Sequence, residues 1–148
     1  MKPHGSKFEY EKDRTNDLMR AYCELIDQSS HIRMPLIYKE VVNRPSSRFW
    51  VSEERAAIVI AAMFKSASAD EVLKGMRKNK KEMFHEIYKR AMELRTQQPT
   101  LYVYDIAFQV VRQPAPKFYL TPGTAKTYIC RAKKEWFEAR KRKLRHLF

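Results

Sequence analysis

Apolar residues fall into short stripes with helical spacing. Leu18, Tyr22, Leu25 and Ile26 recur at i, i+4, i+7 and i+8, one face of a helix for which Asn16 is a candidate N-cap. Met83, Ile87, Ala91 and Leu94 make a second such stripe, on a helix predicted to begin near Asn79. Two shorter helices are predicted around Ile37, Val41 and Val42, and around Val103, Ile106, Ala107, Val110 and Val111. Each ends ahead of a proline, Pro45 or Pro114, because the residue before proline is pushed from helical to extended dihedrals.

Two further helices open at Ser52 and Thr121, both good N-caps, with Pro122 at a first helical position that needs no N–H. EERAAIVIAAMFK is apolar on nearly every side and is expected to be a buried hub. TPGTAKTYICRAKKEWFEARKRK instead shows one clean stripe, Ala125, Ile129, Ala132 and Trp136, and is predicted to run from Pro122 to about Lys143. Leu144, Leu147 and Phe148 at its end either dock back or fray.

The chain also aligns with itself. A shift of 69 residues, without a gap, sets VVNRPSSRFWVSEERAAIVI (Val41 to Ile60) against VVRQPAPKFYLTPGTAKTYI (Val110 to Ile129). Between 34–65 and 103–134, eight of 32 positions are identical, where about two would arise by chance. The pattern predicts an all-α protein of two related three-helix units in tandem, residues 16–65 and 85–148, with a long basic C-terminal helix. Residues 1–15 read as a flexible N-terminus. Residues 66–84 read as a connector in which Ser68-Ala69-Asp70-Glu71 forms a capping box ahead of a short helix ended by Gly75.

Within each unit nine residues, 43–51 or 112–120, link the second helix to the third, and an aromatic pair precedes the N-cap: Phe49-Trp50 or Phe118-Tyr119. Phe49 and Phe118 are expected to plug into the helical core as anchors, leaving Trp50 or Tyr119 as the better candidate for stacking on a base.

Charge narrows the partner. Thirty Lys and Arg against seventeen Asp and Glu give a net +13, which favours a polyanion. The excess is uneven, +1 over 16–65 against +6 over 85–134. The helix from Pro122 has no acid in its first turn, so its free N–H groups and dipole can face a phosphate, helped by Lys117 and the Thr121 and Thr124 hydroxyls. Lys126, Thr127, Cys130 and Arg131 form a groove-facing set, with Arg131 the best match to a guanine edge. Lys133, Lys134, Arg140 and Lys141 add phosphate contacts, and Arg142, Lys143 and Arg145 continue the run.

On these residues the second unit resembles a helix-turn-helix-type DNA-binding domain, with 102–111 as supporting helix and Pro122 onward as recognition helix. The first unit looks like a diverged copy. The resemblance implies a third helix in the major groove and preceding elements on the backbone. The nine-residue, proline-containing connection departs from the usual turn of three or four residues. The PxxKFYLTP-type segment is also similar to one in small basic bacterial proteins, which implies no particular activity.

Duplex DNA is thus the expected partner, ahead of structured RNA, with a homodimer through the first unit possible. A rival reading is an assembly module built on Ala56 to Phe64. No membrane span is expected, since the longest apolar run is AAIVIAAMF, and a cytoplasmic, nucleoid-associated location follows. No enzyme, metal or other cofactor is expected. Three glycines form no phosphate-cradling loop; His4, His31, His85 and His146 are scattered; and Cys23 and Cys130 cannot complete a four-thiolate site. Tyr119, Tyr128 and Arg131 lack the further partners of a strand-transfer tyrosine site.

Overall fold

Helices begin where the sequence supplies caps. The Ser52 hydroxyl accepts the Arg55 N–H at 3.1 Å, and the Thr121 hydroxyl accepts the Thr124 N–H at 3.1 Å. In the computed structural model, which describes residues 4–147, seven helices follow in order: α1 (His4–Gln28), α2 (Met34–Val41), α3 (Glu53–Lys65), α4 (Ala69–Val72), α5 (Lys78–Gln97), α6 (Val103–Val111) and α7 (Pro122–Leu147). Among the described residues there is no β-strand; the protein is all-α.

Three local expectations need correction. Residues 4–15 are the first turns of α1, so Asn16 lies inside a helix and caps nothing. Between Pro3 and Pro35 the chain has no proline to stop that helix. Ser68 makes no side-chain cap on α4, which ends at Val72 ahead of Gly75, whose φ of 88° shapes the turn that follows. The helix from Pro122 runs on to Leu147.

The larger finding concerns which helices pack together. Two compact units divide the chain: one comprises residues up to Arg44 and from Leu120 onward, the other Pro45–Tyr119. The first, here the terminal body, contains α1, α2 and α7, which pack pairwise. Its buried side chains include Leu18 and Leu25 on α1, Ile37 and Val41 on α2, and Ala125 and Ile129 on α7. The second, the central body, contains α3, α4, α5 and α6, with a core of Phe49, Val59, Ile60, Met63, Ile87 and Val110 among others. These bodies do not follow the windows 16–65 and 85–148. Each takes its third helix from the other window.

The connectors explain why. A helix-turn-helix turn of three or four residues would fold the third helix back onto the two before it. Here the longer, proline-containing connectors turn and bend, and meet in one backbone bridge. Ser46 and Ala115 form an isolated antiparallel bridge, each N–H donating to the other's carbonyl at 3.0 Å. The two residues are 69 apart in sequence. Phe49 N–H donates to the Val111 carbonyl at 2.9 Å, and the buried Ser46 hydroxyl donates to the Arg48 carbonyl at 2.6 Å. Phe49, fully buried, enters the central body beside α5 and α6, and Phe118 is also buried.

Tyr119 ends the second connector with φ at 58°, the one described residue other than glycine in the left-handed region. That backbone costs an L-residue about 1–3 kcal/mol. The ring offsets part of the cost by stacking on Phe49, with centroids 6.1 Å apart and 19° between planes.

Candidate nucleic-acid interface

Helix α7 faces two ways. Ala125 and Ile129 are buried against the terminal body, where Lys133 Nζ donates to the Tyr22 hydroxyl, Tyr38 Oη lies 3.8 Å from Cys130 Sγ, and the Arg14 guanidinium lies 4.8 Å from the Tyr128 ring centroid. Burial, followed by the contact with Cys130, pushes the Tyr38 phenol up to about 12. Away from that side Lys126, Thr127, Arg131 and Lys134 are exposed, at i, i+1, i+5 and i+8, and Cys130, also exposed, lies at the edge beside Tyr38. The helix holds nine basic residues and two acidic ones, more than half of the chain's net charge.

Beyond Lys134 every described residue of α7 is exposed. The predicted apolar stripe therefore stops being a packing stripe at Ala132: Trp136 is 56% exposed, and Leu144 and Leu147 are exposed rather than docked. Phe148 lies outside the described residues. Arg140, Lys141, Arg142, Lys143 and Arg145 sit on this projecting half. The Arg140 guanidinium lies 5.2 Å from the Trp136 ring, and Phe137 meets Trp136 edge to face at 5.2 Å.

The predicted site residues do not all lie open on one surface. Lys126, Arg131, Lys134, Arg140 and Lys141 are exposed on α7. Thr121 and Thr124 are joined at its start, the Thr121 hydroxyl donating to Thr124 Oγ1 at 2.9 Å. Thr127 is exposed but donates its hydroxyl to the Gly123 carbonyl at 3.1 Å, so a base edge has to compete with the helix backbone. Lys133 is occupied by Tyr22. Lys117 belongs to the central body, where it donates to Glu82 and draws that carboxyl below the usual carboxylate range. It drops out of the α7 set.

Neither aromatic of the connector pairs offers the open platform expected of it. Tyr119 is stacked on Phe49, and burial, with Glu86 adding, pushes its phenol up to about 12. The Arg48 guanidinium lies 5.2 Å from the Trp50 ring. The open aromatic surfaces lie elsewhere, on Trp136 and Phe137 of α7 and on α6, where Tyr104 and Phe108 are exposed and Arg112 sits 3.9 Å from the Phe108 centroid. Spacing signalled the α6 group: Tyr104, Phe108 and Arg112 stand at i, i+4 and i+8, off the face that buries Ile106 and Val110.

Helix α3 occupies the central body's equivalent place but starts with Glu53 and Glu54. Glu53 is held by Arg48 at 3.2 Å and Arg112 at 3.5 Å. Burial works against its charge, yet the backbone N–H at the helix start and the two arginines outweigh it and hold the carboxyl below its ordinary range. This helix start is filled by its own chain. Helix α3 packs on α4, α5 and α6 as the expected hub, although Ile58 is 62% exposed on its outer face.

The helix that supports α7 is α2, with α1, while α6 packs with α3 and α5. In the terminal body the supporting and third helices thus come from opposite ends of the chain. Among the described residues no three His, Cys, Asp or Glu side chains group to hold a metal ion, and no helix is long and apolar enough to cross a membrane. Comparison with family models, curated proteins and solved structures gives no match.

Proposed function

We propose that the protein binds double-stranded DNA through the outward face of α7, as a transcriptional regulator or an accessory factor of a mobile element or phage. One observation carries this reading: the side of α7 away from Ala125 and Ile129 exposes Lys126, Arg131 and Lys134, with Lys141 following on that side beyond the packed part and Arg140 beside the exposed Trp136. A helix about 10–12 Å across fits a major groove about 12 Å wide. The acid-free first turn favours a phosphate at the helix start. Gly123 adds open space there, since a Cβ at that position would meet nothing within 4 Å. A second reading, structured RNA, rests on the exposed Trp136 and Phe137, which suit unstacked bases better than a duplex groove.

Anisotropy titration of a random-sequence duplex at several salt concentrations tests both. About six phosphate contacts give a log–log salt slope of about −5, and Lys126→Ala, Arg131→Ala and Lys134→Ala together bring it to about −2.5. Duplex binding no stronger than to a neutral polymer refutes the proposal. Hairpin RNA outcompeting duplex at matched salt, with Trp136→Ala weakening the RNA complex, selects the second reading.

A further inference from the structure

The body that carries α7 is built from two stretches joined covalently only through Pro45–Tyr119. The polar and ring contacts named above from α7 to another helix are all to residues before Arg44: Lys133 to Tyr22, Cys130 to Tyr38, Tyr128 to Arg14. So is its packing, on α1 and α2. None of these interactions requires donor and acceptor to share a chain. Pro114 and Pro116 flank the Ser46–Ala115 bridge in the connector that leads from α6 to α7.

Backbone strain lies where the exchange would occur. Tyr119, at the last position before the chain enters the terminal body, has left-handed backbone, whereas Trp50, 69 residues earlier and just before α3, does not. Strain is therefore confined to the delivery of α7, and extension at Tyr119 relieves it.

We propose that α7 is an exchangeable element whose fitting partner is a second copy of this chain. With Tyr119 extended, α7 of one copy packs on α1 and α2 of another, and reciprocal donation closes a two-chain species that keeps every helix contact. A tether places α7 at about millimolar effective concentration near its own α1 and α2, so the single-chain form dominates in dilute solution. The exchanged form accumulates when the chain is refolded at high concentration.

The test compares wild type, Tyr119→Gly and Tyr119→Pro by sedimentation velocity after refolding at low and high concentration. Both substitutions lose the stack on Phe49, so their difference isolates the backbone: glycine accepts the left-handed region, while proline is fixed near φ −65°. The proline variant is expected to be mostly dimeric with unchanged helicity per chain, the glycine variant monomeric, and the wild type dimeric only in the concentrated refold. A folded, monomeric proline variant at both concentrations overturns the proposal.

Should the proline variant fail to fold, complementation decides. Leu18→Asp and Ile129→Asp each introduce a charge at a fully buried position of the terminal body. Mixed and refolded together, they rebuild one intact body from α1 and α2 of the Ile129→Asp chain and α7 of the Leu18→Asp chain. A heterodimer that regains about half of the lost helicity supports exchange. A mixture equal to the sum of its parts refutes it.

Discussion

Phe49→Ala separates the exchanged arrangement from a sequential one. The ring is fully buried, stacks on Tyr119 at 6.1 Å and carries the Arg90 guanidinium 4.9 Å from its centroid, while its backbone N–H holds the Val111 carbonyl at 2.9 Å. Truncation removes the transfer energy of the ring and leaves a cavity, together about 3–5 kcal/mol. Against a typical total of about 5–15 kcal/mol this is a large share, and it falls on the central body. Native-state hydrogen exchange read by mass spectrometry locates the loss. At about 1.4 kcal/mol per decade, amides of α5 and α6 should exchange faster by two to nearly four orders of magnitude. Those of 16–44 should change much less, although Phe49 follows α2 directly in sequence. Loss of protection in α1 and α2 with α5 and α6 intact would falsify the assignment of Phe49 to the central body.

Two further outcomes follow. Ile129 and Trp136 belong to one predicted stripe, yet Ile129→Ala should cost about 2–5 kcal/mol in urea unfolding, while Trp136→Ala, at an exposed position, should stay within about 0.5 kcal/mol. Glu53 and Glu82 have folded pKa values below the ordinary 4.5, so the stability they lend is present above that pH and is lost as pH falls through the lowered values. Acid titration of thermal stability should therefore be shallower below about pH 4.5 in Glu53→Gln and Glu82→Gln than in the parent, with both variants less stable at neutral pH.

What the sequence determined by itself is local. Ser52 and Thr121 cap their helices through a hydrogen bond three residues on, so the signal and the structure lie within one turn. The buried faces of α2, α5 and α6 follow from spacing alone, and the basic outward face of α7 follows from spacing plus charge. Removal of Lys117 from that face was not legible, because its partner Glu82 lies 35 residues away. Nor was the exposure of Trp136: the stripe continues at helical period, but the surface that could cover it ends.

Only the tertiary structure decided which helix enters which body. Helices α3 and α7 bury the same pair at the same spacing, Ala56 and Ile60 or Ala125 and Ile129, so that pair alone does not assign either helix to a body. The connectors that lead into these helices pair with each other at Ser46 and Ala115. That contact joins residues far apart in the chain, and no window of the sequence contains it.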